Sequence, residues 1–425
     1  MIKEDRLKSI YELYRQFPNI CTDTREIIPN SIFFCLKGES FDGNAFAMTA
    51  IEKGAAFVVT ENYNLQNHPQ CICVDDALSV LQQLSLFHRR QCSIPVIGIT
   101  GTNGKTTTKE LIVAVLQKKY KVAYTKGNLN NHIGVPLTLL SIRDTDEVAV
   151  VEMGANHINE IAQLCQLSLP NYGLITNIGT AHIEGFGSFE NIVIAKRALF
   201  DSVRAHQGTF FVNAQDELLC KITQGYESLI YYGEKIFEIE YPKEEKLLSP
   251  FLSFIFHKKK IQTHLTGRYN MNNILAAVAI GSYFKVSEND IVSAIEEYTP
   301  KNNRSQIMQQ GSNMIIADFY NANPSSMEVA LTNLAELAHP HKLAILGEMK
   351  ELGVVSTMEH EKIIHRCKAL QMEAIFVGQE FCKHHPSLCF DNVEALNDYL
   401  QKYPITEKLI LIKGSRGVHL EKIQI

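Results

Sequence analysis

The amino-acid sequence predicts an α/β protein with three domains and mostly parallel sheets. Residues 92–298 and 299–425 each alternate short apolar strand patterns with helix-like patterns, which is typical of parallel sheets covered by helices. Residues 1–91 also mix short strands with helical stretches. The 425 residues are enough for roughly two to four domains of about 100–200 residues each. We place the boundaries at CSIP, which precedes a strand, and at YTPKNN, which follows a helix-like run.

The composition excludes several classes of function. With 41 Lys+Arg and 46 Asp+Glu, 41 − 46 gives a net charge of −5, which argues against non-specific binding to nucleic acid or to an anionic membrane. No apolar stretch approaches the ~18–20 residues of a membrane span, and the charged N-terminus lacks the apolar core of a signal peptide. We therefore expect a cytoplasmic protein with no nucleic-acid partner and no membrane span. We also expect a monomer, although no feature of the sequence sets the oligomeric state.

The cysteine and histidine patterns do not predict a metal centre. The ten cysteines are scattered, and without a signal peptide we interpret them as free thiols in a reducing compartment. A loose cluster contains Cys382, His384, His385 and Cys389; we favour a polar loop there over a metal site. His360 and His365 resemble a zinc-protease motif, but at ~100° per residue they lie about 140° apart on a helix and cannot share a ligand face.

A phosphate-binding loop is the most informative motif. Residues 94–110 read IPVIGITGTNGKTTTKE, in which an apolar strand, Pro95–Thr100, leads through a glycine-rich loop to a helix that begins at Lys105. Glycines let backbone N–H groups point at phosphate oxygens, the lysine can reach the β and γ phosphates, and the Thr106 hydroxyl can bind magnesium. The general pattern has a glycine where Ile99 stands, but the strand–loop–helix context favours nucleoside triphosphate binding over a glycine turn with an exposed lysine.

Three polar residues follow strands or lie on a helix in the same domain. Glu152 ends an apolar strand, where open α/β sheets bind ligands, and it can hold magnesium; the alternative is a solvated or helix-capping side chain. His182 lies in a loop after the strand 173–178 and can bind metal, although a lone histidine is more often structural. Lys196, within NIVIAKRALF, would by itself be expected to extend to solvent.

Motifs along nearly the whole chain resemble the Mur ligase family of ATP-dependent amide-forming enzymes in bacterial cell-wall synthesis. They are TDTR (22–25), FFCLKGESFDGNAF (33–46), GITGTNGKTTTKE (98–110), GNLNNHIGVPLT (127–138), EMGA (152–155), ITNIGTAHIEGFGS (175–188), GRYNMNNILAA (267–277), DFYNANPSSM (318–327), ILGEMKELG (345–353) and KGSRGVHLE (413–421). The resemblance implies an N-terminal UDP-substrate domain (1–91), a central P-loop ATPase domain (92–298) and a dinucleotide-fold-like C-terminal ligase domain (299–425).

Two of these motifs imply the substrates. NLNNHIGVPLT and YNANPSSM are the more specific ones, and they imply ligation of D-alanyl-D-alanine to UDP-N-acetylmuramoyl-tripeptide, with ATP and Mg²⁺. One alternative is another ligase of the family that adds a single amino acid or glutamate. Another is a P-loop nucleotide switch without catalysis, against which Glu152, His182 and Lys196 together argue.

The resemblance also implies roles for individual residues. The expected ATP-binding residues are Gly101, Thr102, Asn103, Gly104, Lys105, Thr106, Thr107, Asn270, Asn273, Arg304 and Asp318. Thr106 and Glu152 would hold one Mg²⁺, and His182 would hold a second with Lys196, which is carbamylated in this family; Lys105, Glu152, His182 and Lys196 are the expected catalytic residues. The expected substrate-binding residues are Thr24, Arg25, Lys37 and Asp42 for the UDP moiety, Asn130 and Asn131 for the muramoyl peptide, and Tyr320 and Asn321.

Overall fold

The computed structural model describes residues 2–38, 41–242, 249–301 and 303–425, so Glu39 and Ser40 of the 33–46 motif, and Asn302 at the predicted boundary, lie outside the described residues. The chain forms parallel sheets covered by helices, which confirms the predicted α/β class. We call the parts built around each main sheet the N-terminal, central and C-terminal domains.

The N-terminal domain has a fully parallel sheet with strand order β1-β2-β3-β4. Its elements are α1 (Glu4–Gln16), β1 (Asn19–Cys21), β2 (Ser31–Phe34), α2 (Ala47–Glu52), β3 (Phe57–Thr60), β4 (Cys71–Cys73) and α3 (Ala77–Gln91). Strand β2 is buried along its length, as expected for a strand in a sheet covered on both faces. Helix α3 begins at Asp76, whose side chain accepts from the Ser79 N–H, and its buried Arg89 donates to the Ser168 carbonyl of the central domain (2.8 Å).

The central domain contains a parallel sheet with order β10-β9-β8-β5-β7-β6 and an antiparallel hairpin, β11-β12. Its strands are β5 (Val96–Thr100), β6 (Val122–Tyr124), β7 (Val148–Glu152), β8 (Tyr172–Ile175), β9 (Thr209–Asn213), β10 (Leu229–Tyr232), β11 (Phe251–Phe256) and β12 (Lys259–Thr266). Its helices are α4 (Lys105–Gln117), α5 (Gly134–Leu140), α6 (Glu160–Ser168), α7 (Ile183–Phe186), α8 (Phe189–Ala205), α9 (Glu217–Thr223), α10 (Asn270–Tyr283) and α11 (Glu288–Glu297). Helices α4 and α10 pack together over one face of the sheet.

The C-terminal domain has the order β13-β14-β18-β15-β16-β17, with only the β13–β14 pair antiparallel among the described strands. Its strands are β13 (Gln306–Gln310), β14 (Asn313–Asp318), β15 (Lys342–Gly347), β16 (Glu373–Val377), β17 (Cys389–Phe390) and β18 (Leu409–Lys413). Its helices are α12 (Pro324–Glu336), α13 (Ser356–Ala369), α14 (Gln379–Cys382) and α15 (Val393–Lys402). Helix α12 begins with a capping box between Asn323 and Ser326 and with Pro324 in its first turn.

One expectation about the cysteines is wrong. Cys382 and Cys389 form a disulfide that joins the end of α14 to β17, whereas the other eight cysteines are free. Sequence spacing alone gave no sign that the turn between them would bring the two sulfurs together. No helix among the described residues is long and apolar enough to cross a membrane.

Candidate active site

A cavity of about 1120 Å³ lies between the central and C-terminal domains, at the carboxyl ends of the central strands. Many of the predicted residues line it: Thr102, Asn103, Gly104, Lys105, Thr106, Thr107, Asn130, Asn131, Glu152, His182, Asn270, Asn273, Arg304, Asp318, Tyr320 and Asn321. The structure therefore brings together the phosphate loop, the carboxylate at the end of β7 and the predicted C-terminal residues. The lining also includes Asn213, which ends β9, and Gln215 and Asp216, which follow it; the sequence analysis missed these residues although they too lie at the end of a strand of the same sheet.

The phosphate loop has a backbone that requires glycine at two positions. Gly101 and Gly104 have φ of +149° and +78°, and a Cβ on Gly101 would lie 1.9 Å from the Thr176 hydroxyl oxygen. The Lys105 ammonium donates to the carbonyls of Gly101 (2.8 Å) and Thr102 (3.0 Å), and burial lowers its pKa. The loop thus places a cation and the N-terminus of α4 at the cavity, where both favour phosphate.

Glu152 is the centre of a buried polar cluster. Its Oε1 accepts from the Thr106 hydroxyl (3.1 Å) and from the Asn130 side-chain amide (2.7 Å). Lys109 Nζ lies 3.5 Å from its Oε2, and both side chains are 1% exposed. The sequence analysis missed Lys109; the available signal was its position on the apolar face of α4, three residues before Ile112, where a lysine needs a buried partner.

The geometry at Thr106 and Glu152 fits a magnesium ion. The Thr106 hydroxyl oxygen lies 3.1 Å from Glu152 Oε1 at the end of β7. The other carboxylate oxygen, Glu152 Oε2, is buried without a hydrogen-bond partner in the described part of the chain. Mg²⁺ is usually held by one or two protein oxygens together with substrate phosphates and water. The described residues contain no group of three or more His, Cys, Asp and Glu side chains placed to hold a metal by themselves.

Lys196 is buried rather than extended to solvent, contrary to what its sequence context alone indicated. It is 4% exposed on α8, its Nζ donates to the Gly101 carbonyl (3.1 Å), and it lies over the Phe186 ring. Burial, with a smaller contribution from the nearby Lys105 charge, lowers the pKa of Lys196 to about 7. An amine in this state is substantially uncharged near neutral pH, so it is available as a nucleophile.

His182 lies at the boundary with the C-terminal domain. It precedes α7 with φ of +53°, and its Nδ1 contacts a carboxylate oxygen of Glu351, which follows β15. Interaction with the His182 imidazole lowers the pKa of Glu351. The predicted metal residues have these contacts: Thr106 with Glu152, Lys196 with the Gly101 carbonyl of the phosphate loop, and His182 with Glu351.

The C-terminal domain contacts the phosphate loop directly. Asn103 donates from its side-chain amide to the Ser325 hydroxyl (2.9 Å) and accepts from the Asn323 amide (2.8 Å). Its backbone N–H donates to the Asn177 side chain (3.0 Å). One loop residue is thus held by both domains at once.

The remaining C-terminal residues form a charged group across the cavity. The Arg304 guanidinium stacks on the Tyr320 ring at 3.6 Å, and Asp318 accepts from the Lys413 ammonium at 2.6 Å and from the Ser305 N–H at 3.1 Å. On the facing side, the side-chain amides of the two predicted asparagines of α10 are joined, with Asn273 donating to Asn270 (2.8 Å).

The predicted UDP-binding residues lie in the N-terminal domain and do not line this cavity. Arg25 pairs with Asp23 (Nε to Oδ1, 2.9 Å), and Lys37 pairs with Glu61 (2.6 Å). Asp42 accepts from the Asn44 N–H (2.9 Å). The Thr24 carbonyl accepts a hydrogen bond from the Lys53 ammonium (2.9 Å). These four residues therefore lie on a surface separate from the cavity.

Comparisons with known proteins agree with this geometry. Three domain families match the chain: the Mur ligase family catalytic domain at residues 16–89, the Mur ligase middle domain at 99–281 and the Mur ligase glutamate ligase domain at 303–416. A UDP-N-acetylmuramoyl-tripeptide–D-alanyl-D-alanine ligase of Bacillus subtilis is 32% identical over 428 residues, which cover 95% of this chain and 92% of the relative. The chain belongs to the Mur ligase family. It is therefore an ATP-dependent ligase.

Other relatives of this Mur ligase are similar over most of their length. The ligase of the same name from Synechocystis is 36% identical over 367 residues, 84% of this chain and 78% of the relative. Among solved structures, MurF from Acinetobacter baumannii has a TM-score of 0.83 at 30% identity and covers 95% of this chain and 91% of that one. The Thermotoga maritima MurF ligase in complex with ADP has a TM-score of 0.80 at 25% identity and covers 95% and 96%.

Proposed function

We propose that this enzyme uses ATP to join D-alanyl-D-alanine to UDP-N-acetylmuramoyl-tripeptide. Relatives with 30–36% identity over most of the chain carry that name. The observation that carries the proposal is the convergence of the phosphate loop, Glu152 and the Arg304–Asp318 group around one cavity. A nucleotide triphosphate bound in that cavity would lie beside the loop of Asn130 and Asn131, to which we assign the acceptor peptide.

The residues around the cavity suit the activation of a carboxylate. A carboxylate at neutral pH is a poor electrophile, so its oxygen attacks the γ-phosphorus of ATP, the bond to the β–γ bridging oxygen breaks, and an acyl phosphate and ADP form. The dipeptide amine then attacks the acyl carbon, the amide forms, and phosphate leaves with the bonding electrons while the amine loses a proton.

Charge is the main obstacle to the first step, because two anions must meet. At 4 Å and an effective dielectric constant of 20, each pair of like charges costs about 4 kcal/mol, which slows a reaction by roughly a thousandfold. Lys105 supplies one of the charges that offset this repulsion. The contacts between Asn103 and the C-terminal domain hold that domain against the phosphate loop, and this arrangement would limit hydrolysis of the acyl phosphate by water.

We propose that Thr106 and Glu152 hold one Mg²⁺ and that His182 and carbamylated Lys196 hold a second. When bound, magnesium neutralises charge on the transferred phosphoryl group. The lowered pKa of Lys196 supports carbamylation, because only the neutral amine reacts with carbon dioxide. A carbamate would convert this buried cation into an anionic oxygen ligand.

An amine panel tests the substrate assignment. Purified enzyme with ATP, Mg²⁺ and UDP-N-acetylmuramoyl-tripeptide is given D-alanyl-D-alanine, D-alanine, L-alanine or glutamate, and phosphate release is measured together with the mass of the product. We expect product only with the dipeptide. Product with a single amino acid would support another activity of the family, and no amine-dependent ADP release would support the non-catalytic nucleotide switch.

Substitution of the phosphate and metal residues tests the site. Lys105→Ala and Glu152→Ala are each expected to abolish ligation, with the circular dichroism spectrum of Lys105→Ala unchanged because that side chain lies at the cavity. Near wild-type turnover in either variant would refute its assigned role. We further propose that the enzyme acts as a cytoplasmic monomer, which light scattering of the purified protein and cell fractionation would test.

A further inference from the structure

The contact between His182 and Glu351 joins two domains through two strained backbone positions. His182 belongs to the central domain and Glu351 to the C-terminal domain, and their φ angles are +53° and +63°. Non-glycine residues seldom adopt such angles, and they persist where the surrounding structure holds them. Both sides of this contact therefore lie in the left-handed backbone region.

The loop that carries Glu351 is anchored on both sides of it. The Met349 N–H donates to Nε2 of the buried His360 (3.0 Å), and the Lys350 N–H donates to the Ser415 hydroxyl (2.9 Å). Leu352 is 2% exposed in the core of the C-terminal domain. Glu351 itself is 53% exposed, so the loop presents this carboxylate outward.

The same loop packs on the helix that His182 begins. A Cβ on Gly353 would lie 3.3 Å from the Cβ of Glu184, the second residue of α7. Backbone contacts therefore bring the Glu351 loop and the start of α7 together. A flexible surface ion pair would lack these contacts.

The contact determines which imidazole nitrogen carries the hydrogen. A ring nitrogen that touches a carboxylate oxygen must carry the hydrogen, because two lone pairs in contact repel each other. In neutral His182 that nitrogen is Nδ1, which leaves the lone pair on Nε2, the nitrogen that then faces away from Glu351. Carboxylates that hold a histidine in this way orient metal-binding imidazoles in many proteins.

We propose that Glu351 is a positioning residue that reaches across the domain boundary and fixes His182 in its Nδ1–H form, with Nε2 free to bind Mg²⁺. The inference rests on the metal role proposed above for His182. It adds that the docked C-terminal domain completes the metal site, because the carboxylate and the imidazole belong to different domains. The domain arrangement that encloses the nucleotide in the cavity is therefore also the one that orients His182.

Nitrogen-15 NMR of histidine-labelled, nucleotide-free enzyme tests the positioning directly. In alkaline buffer, wild-type His182 is expected to be in the Nδ1–H form, with its signals assigned by their loss in His182→Asn. In Glu351→Ala this preference should be lost. Glu351 is half exposed, so its truncation leaves the core intact.

Glu361→Gln provides the matched control. Glu361 is 55% exposed in the same domain and pairs with His365 within one helix, at 3.6 Å, so its loss should leave the His182 signals unchanged. An Nε2–H form in the wild type, or an identical His182 spectrum in Glu351→Ala, would overturn the inference.

A second readout separates this inference from the proposed ligase activity. At saturating ATP, Glu351→Ala is expected to raise the Mg²⁺ concentration for half-maximal ligation by about 10–100-fold, the usual effect of removing such a partner, with a smaller change in kcat. If the tautomer changes but the Mg²⁺ requirement does not, His182 does not hold the metal and the positioning role is overturned while ligation stands. Failure of the wild type to ligate any amine would instead refute the proposed function, and the NMR result would still decide the tautomer.

Discussion

The buried pair between Lys109 and Glu152 leads to a prediction about stability. Replacement of Lys109 by methionine keeps a side chain of similar length but removes the cation. Glu152 then retains the two hydrogen bonds to its Oε1, from Thr106 and Asn130, while its Oε2 faces no charge. A buried carboxylate without a counter-charge is strongly unfavourable.

The expected size of the effect follows from the geometry. At 3.5 Å and an effective dielectric constant of 20, the attraction between the two charges is about 5 kcal/mol. Breaking a buried pair by removing one partner typically costs about 3–5 kcal/mol. For a domain of 150–250 residues, about 2–4 °C per kcal/mol gives a lower melting temperature by about 6–20 °C.

The measurement is thermal and denaturant unfolding followed by circular dichroism, since the chain has no tryptophan. Lys118→Met is the control, because Lys118 lies just after the same helix and forms a surface pair with Glu297 (2.7 Å), whose loss should cost about 0–1 kcal/mol. The double variant Lys109→Met with Glu152→Gln removes both charges and should be more stable than Lys109→Met alone. A loss below about 1 kcal/mol in Lys109→Met would refute the reasoning.

Three further predictions follow from the site and the disulfide. Gly101→Ala should abolish ATP binding, measured by calorimetry, because its Cβ would meet the Thr176 hydroxyl. The pKa of Lys196 falls from 10.5 to about 7 on folding, so the unfolded chain binds more protons than the folded one between pH 7 and 10.5. The free energy of unfolding, and with it the melting temperature, therefore rises with pH across that window. In carbonate-free buffer, Lys196→Met should flatten this rise in melting temperature. Reduction of Cys382–Cys389 should cost about 2–3 kcal/mol by loop-closure entropy, so dithiothreitol should lower the melting temperature of the wild type. It should not change the melting temperature of the variant in which both cysteines are replaced by serine.

The features that could be predicted from the sequence are those set by local patterns. Short apolar runs predicted the strands, although the predicted strand 173–178 ends at Ile175 in the structure. The glycines and Lys105 gave the phosphate loop, and Glu152 was placed from its position at a strand end. Each of these depends on residues within a few positions of one another and on the general rule that ligands bind at the carboxyl ends of parallel strands.

The contacts that complete the site depend on long-range packing, and local patterns do not contain them. Lys109 meets Glu152 from 43 residues away, and Glu351 meets His182 from another domain. The pairing of Cys382 with Cys389 depends on the turn between α14 and β17. The first pair depends on how α4 packs against the central sheet, and the second on how the C-terminal domain docks.

These long-range contacts also make the proposed phosphoryl transfer depend on how the C-terminal domain is docked. The phosphate loop and Glu152 lie on the rigid central sheet, so they can hold the triphosphate in a fixed position. Asn323 and Glu351 come from the C-terminal domain and contact the loop and His182, so the charge arrangement around the transferred phosphoryl group depends on how that domain is docked. A variant that weakens docking without touching the phosphate loop should therefore lower turnover more than it weakens ATP binding, because the nucleotide contacts of the central domain remain in place.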